Sequence, residues 1–132
     1  MPVGTLTVTP IPVLKYELTV PSAHAPSRTT SRSSVYNIFA CHPAVAEPGK
    51  LCIVDTGVIL TFSPGHHGFL SIFTDLAHKG LDVRSNIVLD SVDSTAKVIV
   101  RNDGSVSHTI HPGDCVAHLL VLAAVHVDLV RK

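Results

Sequence analysis

The sequence predicts an all-β fold in the form of a sandwich or barrel. Short apolar segments recur along the 132-residue chain, and turn-forming residues separate them about every eight to twelve residues. Several segments also alternate between apolar and polar side chains, as strands with one buried face do. The clearest runs from residue 96 to 101, where Val98 and Val100 share one face while Lys97, Ile99 and Arg101 share the other.

Composition argues against several classes of protein. Ten lysine and arginine residues balance ten aspartate and glutamate residues, so nothing predicts a nucleic-acid or membrane-surface partner. No apolar run approaches the roughly 20 residues of a membrane helix. Cys41, Cys52 and Cys115 are odd in number and follow no secretory leader, so we expect reduced thiols in an intracellular protein, cytoplasmic or nuclear, that is not secreted. The high apolar content favours burial in an oligomer.

The N-terminal part is predicted to be an arm on a single domain that spans residues 1–132. Pro10 and Pro12 lack the N–H that a central strand donates, so they confine Val8 to Leu18 to an edge strand or an irregular arm. The following segment, Ser22 to Ser34, is rich in Ser, Thr, Pro and Arg, which indicates an ordered loop or arm. We place the N-terminal arm at residues 1–24.

The middle of the chain predicts strands joined by tight turns. Leu51–Val54 and Thr56–Phe62 are short apolar strands, and the glycine-bounded Ser63–Gly68 is a turn. Another strand is expected at Phe69–Phe73. The only helix that the sequence favours is a short one near Leu76–Lys79.

The C-terminal third predicts a hairpin followed by two apolar strands. Asn102–Ser105 is a strong hairpin turn, and Cys115–Val130 is almost continuously apolar, with Ala123 and Ala124 interrupting it. We expect residues 120–132 to form a C-terminal strand that could exchange between subunits. The predicted core contains Ile53, Val58, Leu60, Leu70, Val98, Val100, Val116 and Leu119.

One string in this region points to a family. Gly113-Asp114-Cys115-Val116-Ala117-His118-Leu119 is, on physical grounds, a turn that leads into a buried strand. It resembles the fourth motif of the trimeric dUTPase family, Gly-Asp-Arg-Ile-Ala-Gln-Leu. Further matches follow in order from the N-terminal side: Ala25-Pro26-Ser27-Arg28, Ser34–Phe39, Pro48-Gly49, Val54–Val58, Gly65–Gly68 and Gly80–Val83.

The resemblance extends from about residue 25 to residue 122. It implies a jelly-roll-like β-barrel that assembles as a homotrimer with composite sites between subunits. In the family those sites cleave dUTP to dUMP and pyrophosphate with the help of Mg²⁺.

Two substitutions affect the positions that handle metal and phosphate. Asn37 stands where the first motif has an Asp that helps to order the water shell of the metal, and a neutral amide lacks the charge that a hard cation prefers. Phe73-Thr74-Asp75 stands where the second motif has Arg-Ser-Gly. The phosphate-binding guanidinium is therefore replaced and a carboxylate is introduced, although Thr74 retains one hydroxyl donor.

The remaining motifs also depart from the family. In the third motif, an ungapped alignment puts Leu89 at the general-base position and Val92 at the position of the sugar-gating Tyr. A shift of the alignment by one residue would instead restore Asp90 as the general base. In the fourth, Asp114 is kept but His118 replaces Gln. No Gly-rich segment follows Gly113, so the lid formed by the fifth motif is expected to be absent.

These departures predict a dUTPase-fold pseudoenzyme, resembling the regulatory proteins that some DNA viruses, including adenoviruses, derive from this family. It would act through a protein partner, with Asn37, Thr74, Asp75, Leu89, Val92, Asp114 and His118 as vestigial substrate positions. Two alternatives stay open: an active dUTP diphosphatase that uses Mg²⁺ and Asp90, and a structural subunit of a hetero-oligomer. No cofactor and no metal site are otherwise expected, since His66 and His67 are adjacent and point opposite ways on an extended segment.

Overall fold

The fold consists of ten short strands and one short helix within the residues that the structure, a computed structural model, describes, namely 11–84 and 94–132. The elements are β1 (Leu14–Leu18), β2 (Val35–Phe39), β3 (Ala44–Ala46), β4 (Leu51–Asp55), β5 (Val58–Phe62), β6 (His66–Ile72), α1 (Thr74–His78), β7 (Leu81–Val83), β8 (Lys97–Asn102), β9 (His108–Ile110) and β10 (Cys115–Ala123). The prediction of an all-β protein is confirmed. None of the described helical segments is long and apolar enough to cross a membrane.

The strands form four small antiparallel sheets. Their orders are β1-β5, β2-β10-β6, β3-β9 and β4-β8-β7. Most strands that are neighbours within a sheet are distant in sequence, so many strands pair with one that comes much earlier in the chain. The proline-rich N-terminal segment does end in an edge strand, because among the described strands β1 pairs only with β5.

The buried core lies between these sheets and matches the predicted core with one exception. Among the residues predicted to be buried, Val58, Leu60, Leu70, Val98, Val100, Val116 and Leu119 are each at most 4% exposed. The prediction for Ile53 is wrong, because its side chain is 63% exposed and β4 turns Cys52 and Val54 inward instead. Both faces of β4 are apolar, so alternation could not identify the buried one.

Three predicted boundaries also require correction. Strand β6 begins at His66, closer to the turn than expected, because residues 66–68 already pair with Ala123, Leu122 and Val121 of β10. Helix α1 begins at Thr74. The apolar C-terminal segment forms one strand rather than two, and residues 124–132 are exposed and belong to no strand of this chain.

The predicted hairpin at Asn102 is a turn between sheets. Strand β8 pairs with β4 and β7, whereas β9 pairs with β3, so the two strands that flank the turn do not pair with each other. Asn102 is fully buried and holds the turn with its side chain. Its Nδ2 donates to the carbonyls of Ala46 at 2.8 Å and Val106 at 2.7 Å, and its Oδ1 accepts the Gly104 N–H at 2.9 Å.

Candidate functional site

The candidate site is built on β10, the central strand of the sheet β2-β10-β6. A bulge between Cys115 and Ala117 shifts the register against β2, so Val116 and Ala117 are both fully buried. A bulge adds one residue to one strand and thereby re-aims the side chains that follow it. Past the bulge, His118 lies opposite Asn37 of β2 and opposite Ser71 of β6. Asn37 and His118, from the first and fourth matched motifs, are therefore brought together.

The predicted arm segment of residues 22–34 covers one side of this sheet. Ser27 and Asn37 exchange two main-chain hydrogen bonds, at 3.3 Å and 2.7 Å, and the Arg28 guanidinium lies 5.5 Å from the centroid of the Tyr36 ring. The Asn37 side-chain amide donates to the Thr29 hydroxyl at 3.3 Å. Arm and sheet together enclose an open depression of about 230 Å³, lined by Thr29, Ser33, Val35, Asn37, Ser71 and His118.

The imidazole of His118 brings a buried ring nitrogen to this depression. Its Nδ1 is buried and makes no hydrogen bond to any residue within 11–84 and 94–132. The ring contacts Phe73 at 5.3 Å between centroids and an angle of 54°. The Phe73 N–H donates to the Val116 carbonyl at 3.0 Å, which fixes Phe73 beside β10. Phe73, which the motif alignment matches to an arginine of the second motif, therefore lies against His118.

Asp114 and Cys115 serve the turn before β10. The Asp114 carboxylate accepts the His111 N–H at 2.8 Å, and the Asp114 carbonyl accepts the Ala40 N–H at 2.9 Å. Burial raises the pKa of the Cys115 thiol, and the Asp75 carboxylate raises it further. At neutral pH the thiol is therefore uncharged and supplies none of the positive charge of the arginine that it replaces.

The other sequence-predicted positions are not part of the depression. Thr74 and Asp75 lie at the exposed start of α1, next to Phe73, and do not line it. Leu89, Asp90 and Val92 lie outside the described residues, so the alternative between Leu89 and Asp90 as the general-base position stays open.

Three hydroxyl residues of the depression were not singled out from the sequence. Thr29 and Ser33 belong to an arm that showed only a loop-forming composition, and Ser71 is one polar residue in an apolar strand. The signal that could have identified Ser71 is its alternation on β6 with the apolar Leu70 and Ile72 on either side. No comparable signal marks Thr29, because the docking of the arm depends on a distant strand.

The donor set of the depression does not fit Mg²⁺, which prefers carboxylate, phosphate and water oxygens. Among the described residues that line it, none is a carboxylate. The Asn37 amide is neutral and its nitrogen is committed to Thr29. The side chains lining the depression therefore offer hydroxyls, an amide and an imidazole, which can bind polar ligands by hydrogen bonds but cannot neutralise a divalent cation.

Solved structures with similar folds include dUTPases of bacteriophages. A mutant dUTPase from phage phi11 of S. aureus superposes with a TM-score of 0.84 at 18% identity, covering 91% of this chain and 96% of the other. The dUTPase of Staphylococcus bacteriophage 80alpha superposes with a TM-score of 0.83 at 18% identity, with the same coverage. At this identity the likeness establishes the fold alone.

Curated relatives include proteins of poxviruses. The chain is 20% identical over 98 residues to the deoxyuridine 5'-triphosphate nucleotidohydrolase of monkeypox virus, an alignment that covers 74% of this chain and 65% of that protein. The variola virus protein of the same name is equally similar, with 67% of its length covered. The dUTPase family model matches residues 21–132. Together with the fold and the order of the motifs, this match establishes that the chain belongs to the dUTPase family.

Proposed function

We propose that this chain is a pseudoenzyme of the dUTPase family, a homotrimeric interaction or regulatory module whose nucleotide site no longer cleaves dUTP. The observation that carries the proposal is the contact between Phe73 and His118. Triphosphate recognition requires cationic or N–H donors on the phosphate oxygens. In this chain the residue aligned with the guanidinium is Phe73, and the neighbouring Asn37 offers a neutral amide that already bonds Thr29.

Regulation by a dUTPase fold has a parallel among the structural neighbours. Phage dUTPases control transfer of virulence genes by a proto-oncogenic G protein-like mechanism. A fold of this type can therefore be maintained for a regulatory role. In this chain the role would be carried by its surface and by a partner protein.

The homotrimer is supported by apolar side chains that a single chain leaves uncovered. Outward-facing Leu51 and Ile53 on β4 are 57% and 63% exposed, and Ile53 lies opposite Ile99 of β8. Val125, Val127 and Leu129, after β10, are at least 74% exposed. Such surfaces are typical of subunit interfaces. Light scattering should give the mass of three chains at micromolar concentration, and a monomer would contradict the proposal.

The alternative of an active dUTP diphosphatase is favoured by the family match and by the poxvirus relatives, which are named as nucleotidohydrolases. Pyrophosphate release from dUTP with Mg²⁺ separates the two. For the pseudoenzyme, the rate should lie at least about 10²-fold below that of an active dUTPase, the lower bound for loss of a general base. Turnover that disappears in Asp90→Asn, with folding unchanged, would establish the enzyme instead.

A second experiment tests whether Phe73 occupies the phosphate position. Phe73→Arg should strengthen binding of inorganic tripolyphosphate, because it restores a planar guanidinium beside His118. Phe73→Leu is the matched control, since it removes the ring without adding charge. Equal affinity of both variants for tripolyphosphate would contradict this assignment. The remaining alternative is a structural subunit of a hetero-oligomer. It would be favoured if the protein released no pyrophosphate, bound no tripolyphosphate and assembled only together with a different chain.

A further inference from the structure

A second cluster of chemically reactive side chains lies away from the depression. Cys41 and His42 follow β2, and Asp55 ends β4. One ligand atom from each, the Cys41 Sγ, a His42 ring nitrogen and an Asp55 carboxylate oxygen, all lie within 4.8 Å of one another. None of the three residues lines the depression around His118. The sequence predicts no metal site and does not bring these residues together, because thirteen positions separate His42 from Asp55.

We propose that Cys41, His42 and Asp55 form a site for a single Zn²⁺ ion, with water as the fourth ligand. In a tetrahedral zinc site, with Zn–S near 2.3 Å and Zn–N near 2.0–2.1 Å, ligand atoms lie roughly 3.3–3.8 Å apart. The separations in the cluster are at most 4.8 Å, so the ligand atoms need to approach one another by no more than roughly 1.5 Å. Thiolate, imidazole and carboxylate together favour zinc, whereas the sulfur ligand disfavours Mg²⁺ and Ca²⁺.

Main-chain hydrogen bonds hold the two inner ligands in place. The Cys41 N–H donates to the Asp55 carbonyl at 3.0 Å, which joins the end of β2 to the end of β4. The Asp55 Oδ1 accepts the Gly57 N–H at 2.9 Å, which orients the carboxylate and leaves Oδ2 to face an ion. His42 is exposed, so its ring can rotate to close the site without disturbing the core. Two fixed ligands and one adjustable ligand are sufficient for the small contraction that binding requires.

The charges of the cluster also suit a divalent cation. On binding, the Cys41 S–H bond breaks, the proton goes to solvent, and the thiolate and carboxylate balance the two positive charges of Zn²⁺.

An ion at this position would connect separate parts of the fold. Ala40, directly before Cys41, donates to the Asp114 carbonyl at 2.9 Å and accepts the Gly113 N–H at 2.8 Å. Bound Zn²⁺ would therefore tie the turn that precedes β10 to the connection between β4 and β5. The proposal does not depend on whether dUTP is cleaved.

The test uses the full chain under reducing conditions with Zn²⁺ and, as a spectroscopic probe, Co²⁺. We expect about one ion per chain, a thiolate-to-cobalt charge-transfer band in the near ultraviolet, and release of protons on binding. His42→Ala should weaken binding at least about tenfold. His111→Ala, another exposed histidine, is the matched control and should bind as the wild type does.

Each result decides the question. Loss of the charge-transfer band in Cys41→Ser, with an unchanged band in Cys52→Ser, would support the site. Cobalt binding by the wild type without a thiolate band would overturn it, even if Cys41→Ser failed to fold. Zinc binding that is equally strong in His42→Ala would also overturn it, because the ion would then reside on other histidines. Absence of stoichiometric binding by the wild type would do the same.

Discussion

Replacing Asn102 by Ala should strongly destabilise the fold. The buried side chain makes three hydrogen bonds, two to carbonyls and one from the Gly104 N–H. An intramolecular hydrogen bond contributes about 0.5–1.5 kcal/mol net, and a buried group left unpaired costs about 1–3 kcal/mol. Water that enters the space left by the amide would recover part of the loss. We therefore expect the free energy of unfolding to fall by about 3 kcal/mol.

Denaturant unfolding at one fixed protein concentration measures this loss, since the stability of an oligomer depends on concentration. Asp103→Ala is the matched control. It removes the neighbouring, exposed ion pair with Arg101 at 2.8 Å, and exposed pairs contribute about 0–1 kcal/mol. If Asn102→Ala unfolded within about 0.5 kcal/mol of the wild type, the reasoning would be refuted, and the turn would owe its conformation to the packing of β3 and β8 instead.

Two further predictions concern stability. Gly57→Ala should destabilise the protein by about 2–4 kcal/mol, because Gly57 has φ +65° and an added Cβ would lie 2.9 Å from Ala23 and Val20 side-chain atoms. Gly49→Ala is the control and should cost only about 1–2 kcal/mol, because Gly49 has φ +74° but nothing within 4 Å of an added Cβ. Equal losses of unfolding free energy for the two variants in urea would contradict this prediction. Burial raises the pKa of the Cys52 thiol, so its stabilising contribution is complete below the ordinary thiol pKa and is lost as pH rises through the raised value. Stability should thus decline more steeply with alkaline pH in the wild type than in Cys52→Ala, and identical slopes would refute the effect.

The sequence predicted those parts of the fold whose two faces differ in polarity. Strand β8 alternates Val98 and Val100 with Lys97 and Arg101, and its buried face was predicted correctly. Strand β4 is apolar on both faces, so nothing local shows that Ile53 faces outward. Which face of such a strand is buried depends on the elements that pack against it, and the local sequence pattern does not contain this information.

The site was predictable only where motif order carried the information. The order of the matched motifs suggested that Asn37 and His118 belong to one site. In the structure they lie opposite each other on the paired strands β2 and β10. The contact between Phe73 and His118 was not predictable, because it depends on a main-chain hydrogen bond to Val116 and on the bulge that precedes Ala117. Hydroxyl groups of the arm, such as Thr29, join the site through long-range docking.

The position of β10 has a consequence for how the chain folds. This strand is the last that the structure describes, yet it lies between β2 and β6, which come much earlier in the sequence. During synthesis, the edges of β2 and β6 that pair with β10 therefore stay unpaired until residues 115–123 emerge from the ribosome. Closing such long loops is slow, and exposed strand edges invite association with other chains. Folding of this protein should consequently depend more on protection of its nascent chain than on the intrinsic propensity of any of its strands.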